Sequence, residues 1–138
     1  MIRSLLTFAT GLGVGIGGVL AVHHDGEHVR TISERNITEK LDGKDAKVTV
    51  VEVTLEPGQA GVPHRHPGPG FGYVLEGEYE LGINDQPSQV LKQGETFYEP
   101  TGCLHRVSKN PSVKGKTRVI AVVLQPRDAK EIAIPEAK

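Results

Sequence analysis

The stretch KVTVVEVTLEPG, residues 47–58, decides the fold class of this chain. Valine, threonine and leucine dominate it, and Pro57 and Gly58 end it, which is typical of a β-strand that stops at a turn. The most apolar run of the chain, residues 117–124, predicts a second long strand that is buried on both faces. Two such strands indicate a protein whose core lies between sheets rather than between helices.

Several shorter segments whose composition is typical of β-strands lie between these two strands. Each is bounded by turn-forming residues, and together they cover residues 71–75, 79–83, 90–91, 96–98 and 105–108. The chain also contains 17 glycines and 9 prolines, and no amphipathic helical pattern of convincing length is present. We therefore predict an all-β sandwich or jelly roll.

The length and the charge balance of the chain limit the number of domains and the classes of partner that it can have. A chain of 138 residues makes one domain. We divide it into a leader (residues 1–21), an N-terminal arm or edge strand (22–46), a β-barrel (47–126) and a C-terminal tail (127–138). The 16 Lys and Arg nearly balance the 17 Asp and Glu, and no basic stripe is present, which argues against nucleic acid as a partner.

The N-terminal segment is typical of an export signal. Arg3 supplies one positive charge, residues 4–22 carry none, and small residues precede a cleavage site after Ala21. We predict a secretory signal peptide, and hence a periplasmic or extracellular protein. A membrane anchor formed by residues 4–22 and an internal element of the fold stay open as alternatives. The single cysteine, Cys103, excludes an internal disulfide.

Three histidines form the pattern that bears most directly on chemistry. His64 and His66 are separated by one residue, so on an extended strand both imidazoles lie on the same side of the sheet. His105, about forty residues later, is in position to add a third imidazole from a distant strand. Three imidazoles that converge in the interior favour a metal site. Without a cation, their buried ring nitrogens would need other hydrogen-bond partners.

Two spaced motifs make the chain resemble the cupin superfamily. The first motif has the form G-x5-H-x-H-x3-4-E-x6-G, and its matching positions are Gly58, His64, His66 and Gly77. The second has the form G-x5-P-x-G-x2-H-x3-N, and its matching positions are Gly94, Pro100, Gly102 and His105, with Asn110 one place late. The resemblance covers residues 48–124 and implies a double-stranded β-helix, which is the jelly-roll barrel of cupins.

One position departs from the first motif. Gly70 stands where the motif has its glutamate, so the ligand set that the resemblance implies is His64, His66 and His105 alone. Among nearby acids, Glu76 lies about 20 Å along the strand from position 70, and we expect it on the solvated surface. Glu78 and Glu99 are the other acids near the motif. Without a carboxylate, the centre would keep its full divalent charge and favour an anionic ligand.

The metal that the resemblance implies is one divalent transition ion. Neutral imidazoles suit Fe, Mn, Zn, Ni and Cu, and the sequence does not distinguish among these metals. Three protein ligands leave positions open for water, O₂ or substrate, which is typical of a reactive site rather than a structural one.

The resemblance to three-histidine cupins implies a non-haem, dioxygenase-like oxidoreductase that acts on a small molecule. Tyr98 or Tyr73 would then assist proton transfer, although aromatic residues on strands usually pack in a core. Cys103 either faces the site or is simply buried. A non-catalytic cupin that binds a metal or small ligand, and a barrel with a vestigial site, remain alternatives. Pairing of an exposed edge strand would give a homodimer.

Overall fold

The structure is a computed structural model that describes residues 22–24 and 26–137. The predicted leader, residues 1–21, lies outside the described residues. Within the described ranges, no helix has the length and the hydrophobicity needed to cross a membrane.

Every regular element of the described chain is a β-strand. The strands are β1 (Val22–His24), β2 (Glu27–Leu41), β3 (Lys44–Leu55), β4 (His64–Arg65), β5 (Gly70–Glu76), β6 (Glu78–Ile83), β7 (Gln89–Lys92), β8 (Thr96–Glu99), β9 (Leu104–Lys109), β10 (Thr117–Pro126) and β11 (Ile134–Pro135). β10 is a central strand, as its apolar sequence predicts, because it pairs with β3 on one side and β5 on the other.

Two antiparallel sheets face each other. The first has six strands in the order β1-β2-β3-β10-β5-β8, and the second has five in the order β11-β4-β9-β6-β7. Neighbours in each sheet are mostly distant in sequence, which is the arrangement of a double-stranded β-helix. The prediction of an all-β jelly roll is therefore confirmed.

The apolar core lies at one end of the space between the sheets. Its buried members come from both sheets and are Leu55, Val74, Tyr79, Leu81, Leu91 and Val119. Alternate residues of β3 and β10 point inward, so residues 47, 49, 51 and 53 line the interior together with 119, 121, 123 and 125. The interior that these residues line also contains a cavity, which borders the core at Tyr79 and Val119.

The two flanking segments both contact the barrel. Residues 22–46, which we expect to form an arm or edge strand, include β1, β2 and the start of β3, and β2 pairs along β3 with two register shifts. In the segment 127–138, β11 pairs with β4, and Glu136 forms an ion pair with Arg65. The C-terminal segment therefore packs beside the strand that carries His64.

Candidate metal centre

The structure brings the three predicted histidines together. His64 begins β4 and lies directly opposite His105 of β9, while His66 follows the end of β4. One ring nitrogen from each of the three residues lies within 4.8 Å of the others. His64 and His105 are buried, and His66 is partly buried. The cluster therefore has the separation and the shielding that a bound cation needs.

Backbone carbonyls hold two of the imidazoles in a fixed orientation. His64 Nδ1 donates to the Val62 carbonyl oxygen at 2.8 Å, and His66 Nδ1 donates to the Ile132 carbonyl oxygen at 2.5 Å. Because a carbonyl can only accept, each ring carries its hydrogen on Nδ1 and keeps a lone pair on Nε2. The two Nε2 atoms lie 3.2 Å apart, so two acceptors face each other. A metal ion would resolve that contact.

The third imidazole is held by a side chain. His105 Nε2 lies 3.2 Å from the Tyr79 hydroxyl oxygen, and the Tyr79 hydroxyl in turn donates to Ser108 Oγ at 2.9 Å. These contacts orient the His105 ring so that its Nδ1 edge faces Glu99.

Burial favours the neutral forms of His64 and Tyr79. Burial, with the adjacent His105, lowers the pKa of His64 to about 4, so its imidazole is neutral at pH 7. Burial also raises the pKa of Tyr79, although the hydrogen bond with Ser108 opposes that shift, so the phenol stays protonated.

A carboxylate to which the sequence analysis assigned no role, Glu99, lies beside the histidines. Glu99 ends β8 and is only 2% exposed. Its Oε1 lies 2.7 Å from His105 Nδ1, and its Oε2 lies 3.5 Å from His66 Nε2. Burial opposes its ionisation, but the contact with His105 and the other two imidazoles outweighs burial and lowers its pKa. The motif position itself holds Gly70, as the sequence shows, and the carboxylate beside the cluster comes from a different strand.

The buried polar atoms near the cluster fit a divalent cation. Among the described residues, three buried side-chain atoms have no hydrogen-bond partner: Glu99 Oε1, His105 Nδ1 and Gln125 Oε1. Two of these atoms, Glu99 Oε1 and His105 Nδ1, face each other in the cluster, where a bound cation would provide a partner for both. Nitrogen and oxygen donors together suit Fe, Mn or Zn.

An interior cavity of about 580 Å³ opens onto the cluster. Its wall is largely apolar, with Val51, Val119 and Val123 contributing from the six-stranded sheet, and the three histidines and Glu99 form part of its lining. Gln125 also lines it and is 2% exposed. Several charged side chains, Lys47 and Glu131 among them, also line the cavity. A cavity whose wall area is mostly apolar and that contains convergent polar groups is typical of a small-molecule site.

The structure does not bring Tyr73 or Tyr98 to the histidines. Both side chains are exposed, at 43% and 55%, and they flank a shallow groove on the outer face of the six-stranded sheet. Their neighbours Val74 and Glu99 point inward, so alternation turns the tyrosines outward. Cys103 is buried and is not among the residues that line the cavity. Tyr79 is the tyrosine that contacts the cluster.

Fold and site together define a class of protein: a double-stranded β-helix barrel with a histidine cluster on the wall of an interior cavity. A family model described as "Cupin domain" matches residues 51–123, which is more than half of the chain. The chain therefore belongs to the cupin family.

Among curated proteins, the chain is similar to plant cupins. It is 32% identical to oxalate oxidase GF-3.8 of Triticum aestivum over 82 residues, which cover 54% of this chain and 37% of that protein. It is 31% identical to germin-like protein 3-5 of Oryza sativa subsp. japonica over 100 residues, which cover 67% of this chain and 43% of that protein. The chain thus spans less than half the length of these relatives.

Solved structures that superpose on this chain are also double-stranded β-helix proteins. An oxalate oxidase in complex with the substrate analogue glycolate superposes with a TM-score of 0.52 at 28% identity, covering 59% of this chain and 43% of that one. An uncharacterised double-stranded β-helix protein from Klebsiella pneumoniae superposes with a TM-score of 0.62 at 21% identity, covering 86% and 92%. The second likeness shows the fold alone.

Proposed function

We propose that this cupin is a metal-dependent, dioxygenase-like oxidoreductase that acts on a small organic molecule inside the barrel. One observation carries the proposal: three imidazoles, each with its other nitrogen already hydrogen-bonded, converge on the wall of an interior cavity. His64, His66 and His105 would hold the metal. A divalent metal held there would supply Lewis acidity and, if it is iron or manganese, one-electron redox chemistry.

The residues of the chain itself would bind and orient the substrate. The valine wall excludes water from the reacting end and packs against the apolar part of a ligand. Gln125 Oε1 is buried without a hydrogen-bond partner, so a donor group on the substrate, such as a hydroxyl, would pair with it. These two features favour a substrate with an apolar body and at least one hydrogen-bond donor.

The likeness to oxalate oxidases supports oxidative chemistry and makes oxalate the reference substrate to test first, although oxalate lacks the apolar body and the donor that the cavity lining favours. The cavity of about 580 Å³ has room for considerably larger molecules, so enolates, thiols and phenolic acids belong in the same panel.

The test is oxygen consumption by the full chain, stripped of metal and reloaded with Fe²⁺ or Mn²⁺. We expect metal-dependent consumption with at least one member of the panel and its loss in His66→Ala. A protein that binds metal but consumes no oxygen with any substrate would contradict the proposal. That result would favour the alternative, a non-catalytic cupin that binds a small ligand in the same cavity.

Export and self-association also stay proposals. The mass of the protein recovered from cells would show cleavage after Ala21 if the leader is a signal peptide, and an intact N-terminus in a membrane fraction would indicate an anchor instead. Light scattering of the purified protein would distinguish the proposed homodimer from a monomer.

A further inference from the structure

Position 70, where the cupin motif has its glutamate, lies directly across the sheet from Glu99. The pairing of β5 with β8 places Gly70 opposite Glu99. A β-carbon built on Gly70 would lie 3.1 Å from Glu99 Oε2 and 3.5 Å from Glu99 Cβ. The Glu99 side chain therefore occupies the space into which a side chain at position 70 would extend.

The Glu99 carboxylate reaches two of the three histidines from this position. It lies 2.7 Å from the Nδ1 atom of His105 and 3.5 Å from the Nε2 atom of His66. Both atoms of the shorter contact are buried and have no other hydrogen-bond partner among the described residues. The opposite nitrogen of His105 is directed at Tyr79. The Glu99 carboxylate and the two imidazoles are therefore close enough to share one cation.

We propose that Glu99 is a fourth protein ligand of the metal, and that this chain supplies the motif carboxylate from the strand opposite position 70. The inference rests on the proposed metal site. An anionic oxygen ligand would reduce the net charge of the centre and favour Mn²⁺ or Fe²⁺ over softer ions. It also explains why glycine at position 70 is compatible with a metal site, since any side chain there would compete with Glu99.

The competing role for Glu99 is to orient His105 without touching the metal. Carboxylates often orient metal-bound histidines in this way, and their loss reduces metal affinity about 10–100-fold. A glutamine at position 99 retains an oxygen that can accept from His105 but loses the negative charge. A test must therefore separate the number of metal ligands from the orientation of His105.

The experiment compares the full wild-type chain with Glu99→Gln and with the exchange variant Gly70→Glu/Glu99→Ala. Each protein is stripped, checked by circular dichroism and titrated with Mn²⁺ by calorimetry and with Co²⁺ by visible absorption. We expect Glu99→Gln to lose more than about 100-fold in affinity and to change the Co²⁺ spectrum. We expect the exchange variant to regain affinity to within about 10-fold and a spectrum of wild-type form.

An unchanged Co²⁺ spectrum in Glu99→Gln would overturn the inference, whether the affinity stays within a few-fold of wild type or falls by the roughly 10–100-fold expected of a residue that only orients His105. If His66→Ala still abolished binding in that case, the three-histidine site and the proposed function would stand. A wild-type protein that binds neither ion would overturn both. Should the exchange variant fail to fold, the spectrum of Glu99→Gln decides alone, because glutamine has nearly the same shape as glutamate.

Discussion

Each histidine of the cluster is anchored through one ring nitrogen, and only His105 is anchored by a side chain that can be changed. The hydroxyl of Tyr79 links His105 to Ser108, and all three residues are buried. Their hydrogen bonds fix the ring so that Nδ1 faces the cluster. This arrangement makes Tyr79 a positioning residue rather than a residue that touches the metal.

We predict that Tyr79→Phe lowers metal affinity about 10–100-fold, because His105 loses the partner that orients it. The free energy of unfolding should also fall by about 1–3 kcal/mol, since a buried donor is left unpaired. Calorimetric titration with Mn²⁺ and urea denaturation measure the two effects. Tyr73→Phe, on the exposed outer face, is the matched control and should change neither quantity. An equal effect of both substitutions would contradict the role assigned to Tyr79.

At the residue scale, the sequence predicts the histidines but not the carboxylate. The spacing of His64 and His66 is sufficient to place them on one face, and the second motif adds His105. Glu99 becomes part of the cluster through the register between β5 and β8, which no local pattern specifies. The same limit explains why the sequence did not show that Tyr73 and Tyr98 lie on the outer face. Alternation assigns residues to one face or the other, but it does not say which face is the interior.

At the scale of elements, the C-terminal segment contributes to the site although its sequence is that of a charged tail. The Ile132 carbonyl accepts the hydrogen bond from His66, and β11 pairs with β4 over two residues. Arg65 forms an ion pair with Glu136, and both side chains are partly exposed. The segment therefore orients a proposed ligand while contributing little to the barrel itself.

We predict that deletion of residues 131–138 lowers metal affinity about 10–100-fold, because the His66 ring loses its acceptor. The barrel should persist, since neither large sheet loses a central strand. Metal titration and thermal denaturation followed by circular dichroism report the two properties. Deletion of residues 137 and 138 alone is the control and should leave affinity unchanged. Unaltered affinity in the longer deletion would show that Ile132 does not orient His66.

Three strands of the larger sheet are joined by one carboxylate. Glu52 of β3 contacts Arg118 of β10 at 2.6 Å and also pairs with Arg30 of β2. The hydrogen bond from Arg118, and then that from Arg30, hold the pKa of Glu52 below the ordinary value of 4.5. Because its pKa is lowered on folding, this carboxylate stabilises the protein above pH 4.5, and the stabilisation is lost as the pH falls through the lowered pKa.

We predict that Glu52→Gln reduces the free energy of unfolding near pH 7 and that its difference from wild type shrinks as the pH falls below 4.5. Urea denaturation of both proteins from pH 7 to pH 3 measures this dependence. Glu78→Gln, at an exposed position, is the control and should show little difference at any pH. A difference that is independent of pH would mean that packing, rather than charge, gives Glu52 its effect.

Strand prediction succeeded where the sequence is apolar and was least complete where it is not. The stretch 47–55 is observed as part of β3, which begins three residues earlier, at Lys44. β2 is the longest strand, yet its sequence does not alternate, because most of its side chains are exposed and two register shifts interrupt its pairing with β3. Its strand conformation comes from pairing along β3, which a residue pattern alone does not show.

At the scale of the whole molecule, the spacing of turns and motifs in the sequence was sufficient to predict the jelly roll. It was not sufficient to predict the cavity. The cavity volume depends on how far apart the two sheets pack and on small residues, such as Ala121, in the cavity wall. The polarity of that cavity is likewise a property of assembled strands. The substrate therefore has to be sought by experiment on the intact barrel.

The central claim is that three imidazoles meet around one divalent ion. The most direct measurement is metal content and X-ray absorption of the purified full chain after stripping and reloading with Mn²⁺. We predict one ion per chain, with imidazole nitrogen and carboxylate oxygen in its coordination sphere, and no stoichiometric binding in His64→Ala, His66→Ala or His105→Ala. A wild-type chain that takes up no ion, or one that binds equally well without these histidines, would contradict the claim.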